Sequence, residues 1–266
     1  MRLYGVVLAG GFRRFAAYRV ATAAGVFTNT VFGFIMAYTY IALWDERPRL
    51  GGYDVSQAVT YVWVGQALLM ACALMGGGFE DELMDRIRTG DIAVDLYRPA
   101  DLQLFWLAGD LGRAAFHLIG RGVLPMAFGA FAFDLALPGS ALTWLAFLLA
   151  VALGVLVSFA LRFIVALSAF WLLDGAGVSQ VSWLLGLFFS GLMLPLNVFP
   201  GALGEVARAL PWSALLQIPA DVLLGTRSGA ELAGAYAFQA GWAVVLLGAG
   251  RMLQRAATRR VVVQGG

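Results

Sequence analysis

The chain has 266 residues, of which 61% are hydrophobic, and its formal net charge at pH 7 is only +2. A soluble domain is about 45–50% apolar, so a chain of this size and composition must expose much of its apolar surface to lipid. The small net charge argues against a nucleic-acid-binding protein. The length fits one domain, residues 1–266.

Several chemistries are excluded by residue types that are scarce or absent. The single cysteine, Cys72, excludes a disulfide framework and a cysteine-rich zinc site. All 18 basic residues are arginines, so a standard P-loop, which needs a lysine to reach nucleotide phosphates, is absent. His117 is the only histidine, and no nucleophile–base pair is recognisable. We therefore expect no catalytic residue, metal or cofactor in this chain itself.

Residues 1–20 are predicted to form an interfacial helix. Apolar and basic side chains are mixed there, as in helices that lie in the headgroup layer, and they include Leu3, Phe12, Phe15, Arg13, Arg14 and Arg19. Three glycines weaken the prediction, and a short irregular lead-in is the alternative. The charges that interrupt this segment exclude a signal peptide.

Six apolar segments then follow, each long enough to cross a membrane. A helix needs about 20 residues to cross the roughly 30 Å hydrocarbon layer. We therefore predict an all-α integral membrane protein with spans near 21–43, 56–78, 107–133, 141–172, 179–199 and 231–253. The fourth segment is so long that it must tilt, break or project beyond the membrane.

The arginine distribution predicts that both termini are cytoplasmic, since flanks rich in Lys and Arg stay on that side. Eleven arginines lie at the termini or in the second loop, namely Arg2, Arg13, Arg14, Arg19, Arg86, Arg88, Arg98, Arg251, Arg255, Arg259 and Arg260. Only four lie on the opposite side, namely Arg47, Arg49, Arg208 and Arg227.

The second loop, residues 79–104, concentrates charge in an otherwise apolar chain. Its charges are spaced for helical i,i+3 and i,i+4 pairing, Thr89-Gly90 offers a stop, and Asp91 can cap a second short helix that Arg98-Pro99 closes. We interpret it as a docking surface for a cytoplasmic partner; a solvated connection is the alternative. The candidate contact residues are Glu80, Asp81, Asp85, Arg86, Arg88, Asp91, Asp95, Arg98 and Pro99.

The segment 199–230, after the fifth span, is too apolar for a free loop and too often broken by proline for a span. We predict short helices that dip into the outer leaflet and cover the outer mouth of the bundle; an ordinary extracellular loop is the alternative. The candidate residues are Phe199, Pro200, Leu203, Leu210, Pro211 and Trp212.

Ionisable residues inside spans cost about 2.5–3.5 kcal/mol each on insertion scales and are functional candidates by default. They are Asp110, Arg113, His117, Arg121 and Arg162, the first four forming one stripe on the third span. Snorkelling or packing near the cytoplasmic interface is the alternative explanation. We interpret His117 as a satisfied polar residue rather than a ligand.

Two motifs resemble the permease subunits of type 2 ABC transporters, the ABC-2 family, which are type V exporter-like. One is G-D-I-A-x-D-L-x-R-P, here Gly90 to Pro99, and the other is F-P-x-x-L...L-P, here Phe199 to Pro211. Span count, topology and the interfacial N-terminus extend the resemblance along the whole chain. It points to a bacterial six-span subgroup often encoded as paired permeases beside one ATPase.

The resemblance implies that the second loop is a coupling helix seated in a cleft of an ABC ATPase, which binds ATP and Mg²⁺. It also implies re-entrant outer helices, and a working unit of two ATPases and two permeases, identical or paralogous, in the bacterial cytoplasmic membrane. We therefore expect an exporter permease for a hydrophobic or amphipathic substrate. A secondary transporter, which would need a midplane ion site, and a non-transporting assembly subunit are the alternatives.

Overall fold

The computed structural model describes residues 2–172 and 175–259. Arg260, one of the arginines used to predict the orientation, lies outside these ranges. In these ranges the regular structure is helical, as predicted. The α-helices are α1 (Arg2–Ala16), α2 (Arg19–Glu46), α3 (Val55–Leu68), α4 (Glu80–Thr89), α5 (Ile92–Tyr97), α6 (Leu102–His117), α7 (Val123–Ala132), α8 (Ala141–Leu167), α9 (Ala176–Phe189), α10 (Gly201–Ala209), α11 (Gln217–Leu223) and α12 (Gly229–Thr258).

Among the described residues, four helical stretches are long and apolar enough to cross a membrane. They are Arg19–Glu46, Leu102–Ala132, Ala141–Phe170 and Gly229–Thr258, and they coincide with the first, third, fourth and sixth predicted spans. The second of these stretches joins α6 to α7 through a π-helical turn, Leu118–Gly122. Pro125 follows that turn and lacks the N–H that a regular helix would direct back to residue 121, which accounts for the irregularity.

The second and fifth predicted spans contain shorter helices. Both α3 and α9 have 14 residues. At 1.5 Å per residue each is about 21 Å long, less than the roughly 30 Å hydrocarbon layer. Residues 69–78 continue from α3 as turns and irregular chain, and the chain after α9 turns towards α10. The count of six spans therefore stays a prediction.

Helix α8 is the most enclosed of the four long helices, with half of its most apolar stretch buried. It packs against α12, α11, α4 and α6. Its Phe159 and Phe163 rings are fully buried and stack with their centroids 5.5 Å apart. Because α8 packs against both α4 and α11, it connects the charged loop to the segment 199–230.

The N-terminal helix α1 packs closely along α6. A Cβ atom on Gly11 would lie 2.3 Å from the Gly109 carbonyl oxygen, and one on Gly112 would lie 2.0 Å from the Leu8 carbonyl oxygen. The glycine at position 11, which weakens helix propensity, is thus required where the two backbones approach. The predicted N-terminal helix is present, while its position in the headgroup layer remains a prediction.

The outer segment consists of short helices, as its prolines predict. Within residues 199–230 these are the 3-10 turn Pro211–Ala214 together with α10 and α11, and a further 3-10 turn, Leu196–Val198, directly precedes the segment. A buried cluster fastens this segment to the start of α3: the Tyr53 hydroxyl donates to the Asp221 carboxylate and accepts from Gln217 Nε2 at 2.8 Å. Burial and the neighbouring Asp221 raise the pKa of Tyr53, which keeps its hydroxyl protonated as a donor.

The six predicted outer residues are distributed over the short helices. Phe199 and Pro200 precede α10, Leu203 is exposed on it, and Leu210 follows it. Pro211 begins the next 3-10 turn and is buried. Trp212 packs its ring 6.3 Å from that of Phe189 at the end of α9. The segment therefore lies against α9, and its role as an outer cover stays a prediction.

Candidate functional site

Two short helices, α4 and α5, form the charged loop. Acidic residues fill the first turn of α4 and Arg86 and Arg88 its last turn, which suits the helix dipole. Gly90, at φ 86°, ends α4, and α5 ends before Arg98, whose extended conformation precedes Pro99. The ends of both helices were predicted at these residues. The predicted cap at Asp91 is wrong, because its side chain accepts from the Thr89 hydroxyl at 3.0 Å and not from the helix backbone.

An ion pair inside the loop holds α5 against α4. Arg86 Nε and Nη2 donate to the two carboxylate oxygens of Asp95, at 2.5 and 3.0 Å. Arg98 Nη1 lies 3.2 Å from Asp95 Oδ1. The hydrogen bond to Asp95 raises the pKa of Arg86. Leu83 and Ile92 anchor the same two helices in an apolar cluster with α6 and α8. Asp95 is only 6% exposed, so it does not lie with Asp91 and Arg98 on the exposed face of α5.

Glu80, at the start of α4, is buried, with only 5% of its surface exposed. Its Oε2 atom lies 3.0 Å from Arg162 Nη1 on α8, while Arg162 Nη2 lies 2.6 Å from Asp110 Oδ2 on α6. Asp110 Oδ1 lies 2.6 Å from Arg113 Nε. The four charges sum to zero and join α4 to the long apolar helical stretches that contain α6 and α8.

The network also satisfies the backbone where α3 ends. Arg113 Nη1 and Nη2 donate to the carbonyls of Met70 and Ala71, at 2.5 and 3.1 Å, and the Ser158 hydroxyl donates to the Cys72 carbonyl at 2.5 Å. Irregular backbone at membrane depth persists only where protein groups replace water in this way. The same arginine therefore neutralises Asp110 and stabilises the end of the short α3.

Gly78 leaves room for the pair between Glu80 and Arg162. A Cβ atom at this position would lie 2.1 Å from Arg162 Nη1 and 2.5 Å from Glu80 Oε2. The Gly78 N–H also donates to Glu80 Oε1 at 3.1 Å. The chain thus folds closely over the ion pair, and the Phe79 ring covers it, with the Arg162 guanidinium carbon 5.1 Å from the ring centroid.

The predicted polar stripe on the third span divides into two parts. Asp110 forms ion pairs with Arg113 and Arg162, whereas His117 lies between Phe15 and Phe116 with ring centroids at 4.9 and 5.5 Å. Neither ring nitrogen of His117 has a hydrogen-bond partner among the described residues, so its expected satisfaction is wrong. Asp110, the carboxylate of the stripe, is bonded to Arg113 and Arg162 and not to His117.

Sequence reasoning missed two apolar residues of α5. Tyr97 is 81% exposed and Val94 is 57% exposed, whereas Ile92 is buried. A helical wheel carries the signal, because residues 94 and 97 lie on the side opposite residues 92 and 95. The inward direction of Glu80 had no comparable signal, since its partner is 82 residues away.

The ion-pair network, α4 and α5 lie inside a family match. The chain matches the family described as ABC-2 family transporter protein over residues 27–265, and no curated protein matches it. The resemblance seen in the Gly90–Pro99 motif is thereby confirmed. Members are membrane transport subunits without catalysis of their own, and the ABC ATPase with which they work is a separate chain. The chain therefore belongs to the ABC-2 transporter family and is a multi-pass membrane permease subunit.

Proposed function

We propose that this chain is the permease of an ABC exporter that moves a hydrophobic or amphipathic substrate across the bacterial cytoplasmic membrane. It crosses six times with both termini in the cytoplasm. Two partner ATPases bind ATP and Mg²⁺, and a second permease, identical or paralogous, completes the unit. The ion-pair path from α4 through Arg162 to α6 is the observation that carries this proposal.

The exposed surface of α4 and α5 is the proposed ATPase contact. Tyr97 and Val94 form its apolar centre, and charged side chains surround them. Interfaces of this kind obtain most of their binding energy from a few aromatic or arginine anchors, while rim charges set register and on-rate. We therefore assign the anchor to Tyr97 and the register to the exposed charges of Asp85, Arg88, Asp91 and Arg98, beside Pro99.

The buried pairs explain how motion of the loop would reach the membrane helices. Separating a buried ion pair leaves an uncompensated charge and costs about 3–5 kcal/mol. A displacement of α4 therefore moves Glu80, Arg162 and Asp110 together rather than pulling them apart. ATP-driven closure of the ATPases can change the permease only if their contacts with it differ between the open and closed states. Because α4 is held rigidly against α8, it would transmit that change to the membrane helices.

The test is co-purification of the tagged chain from native membranes, with identification of the bound proteins by mass spectrometry. We expect a partner with a P-loop lysine, and ATP hydrolysis in the complex but not in the isolated permease. Tyr97→Ala should reduce ATPase retention by at least 30-fold in affinity, since truncating an aromatic anchor costs about 2 kcal/mol or more.

Tyr38→Ala is the matched control. Tyr38 is also exposed, at 63%, but it lies towards the outer end of α2. Its truncation should leave ATPase retention unchanged. Hydrolysis by the permease alone, or absence of any nucleotide-binding partner, would refute the exporter assignment. Equal retention by Tyr97→Ala and the native chain would refute the docking surface.

A further inference from the structure

A cleft of about 370 Å³ lies between α8, α9 and residues 73–77. It extends from Asp81 and Gln180, at the cytoplasmic end, to Trp212 and Leu215 of the outer segment. Pockets of about 300–1,000 Å³ are the usual size for small-molecule sites. The outer segment forms one end of the cleft, and the exposed Asp81 lies at the other end, on the proposed cytoplasmic side.

Gly186 determines where the cleft closes. A Cβ atom on Gly186 would lie 3.2 Å from the Leu74 carbonyl oxygen and 3.8 Å from the Trp212 ring. This glycine lets α9 approach both the end of the α3 segment and the outer turn. Ser179 and Trp183, which precede Gly186 on α9, line the space between α9 and α8.

The charges around the mouth leave one carboxylate without a partner. Each nearby arginine is already paired: Arg162 with Glu80, Arg14 with Glu82, Arg88 with Asp85 and Arg86 with Asp95. Asp81 makes no ion pair or hydrogen bond within residues 2–172 and 175–259. The cleft thus has a net negative mouth, although Glu80 and Arg162 both line it.

The environment of Asp81 disfavours its own charge. Partial burial, Glu80 and Asp85 all raise the pKa of Asp81. An arriving cation would relieve this repulsion. The inner walls of the cleft suit an apolar group attached to that cation, because Trp183, Trp212 and Met75 line them. Indole faces attract cations and bury large apolar area.

We propose that this cleft binds an amphipathic organic cation, with its charged group at Asp81 and its apolar body between Trp183 and Trp212. The inference rests on the proposed exporter function and names the substrate class of this cleft. A carboxylate at the mouth selects the sign of charge, while the aromatic walls accept varied apolar shapes.

The test uses the full chain, without ATPase, in lipid nanodiscs. Binding of radiolabelled tetraphenylphosphonium is measured by equilibrium dialysis, with empty nanodiscs as the partition background, and tetraphenylborate serves as an anion of matched shape. We expect saturable binding of the cation only. Asp81→Asn should raise its Kd at least tenfold, and Trp183→Leu should raise it similarly.

Glu82→Gln is the matched control, since it removes a neighbouring carboxylate that is paired with Arg14 outside the cleft. It should leave the Kd unchanged. Equal binding of tetraphenylborate, unchanged binding by Asp81→Asn, or binding no greater than to empty nanodiscs would overturn the substrate class. ATPase retention, measured separately on the complex, reports on the exporter function, so the two failures are distinguishable.

Discussion

Arg162 Nη1 on α8 lies 3.0 Å from Glu80 Oε2 at the start of α4, although 82 residues separate them in the chain. Both side chains are buried, and the second guanidinium nitrogen of Arg162, Nη2, donates to Asp110 Oδ2. Removing the Glu80 charge therefore leaves α4 without its ionic link to the membrane helices, while Arg162 keeps one acidic partner.

We expect Glu80→Gln to destabilise the protein by about 3 kcal/mol, since breaking a buried pair costs about 3–5 kcal/mol and Asp110 compensates in part. Glu82→Gln, which breaks the exposed pair with Arg14, should cost at most about 1 kcal/mol. The unfolding midpoint in nanodiscs, measured by denaturant titration, provides the comparison. Equal midpoints for the two variants would show that the buried network adds no stability.

The contact between α1 and α6 gives a second prediction. Gly11→Ala should separate the helices, because the added Cβ would lie 2.3 Å from the rigid Gly109 carbonyl oxygen. Gly10→Ala meets open space and should be neutral or stabilising by up to about 1 kcal/mol through helix propensity. Limited proteolysis near residue 17 reports release of α1, and similar cleavage of both variants would contradict the close packing.

The outer cluster gives a third prediction. Asp221→Ala leaves Tyr53, Gln217 and Arg227 without their shared acceptor. Unsatisfied buried donors cost about 1–3 kcal/mol each, and Tyr53 and Gln217 are buried while Arg227 is partly exposed, so a loss of about 2 kcal/mol or more is expected. Asp45→Ala removes an exposed acid from the end of α2 and should stay within about 0.5 kcal/mol. Thermal unfolding followed by near-UV circular dichroism compares them; equal losses would contradict a fastening role.

Membrane orientation gives a fourth prediction. In a Cys72→Ala background, Ser228→Cys and Ser56→Cys should react with an impermeant thiol reagent in intact cells, whereas Thr258→Cys should not. Ser56 should react more slowly, because its hydroxyl donates to the Asp134 carbonyl and it is partly buried, while Ser228 is exposed. Mass spectrometry after labelling gives the modified fraction. Modification of Thr258→Cys would reverse the proposed orientation.

Local features of the sequence were enough to predict the membrane class, the four long helical stretches and the residues that end the two helices of the charged loop. These depend on local properties: a run of about 20 apolar residues matches the hydrocarbon thickness, and Gly90 and Pro99 restrict the backbone wherever they occur. The Gly90–Pro99 motif likewise identified the ABC-2 family, because the residues that carry it are consecutive.

Tertiary structure decided which charges are buried together. Glu80 and Arg162 are 82 residues apart, and Tyr53 and Asp221 are 168 apart, so neither pairing follows from periodicity or spacing. The early end of α3 also depends on tertiary structure. The carbonyls of residues 70–72, which a longer helix would bond internally, accept hydrogen bonds from Arg113 and Ser158 on other helices. Only the packing of α8 against α4 and α6 brings these groups within hydrogen-bond distance, and a charge that lacked such partners would be too costly to bury.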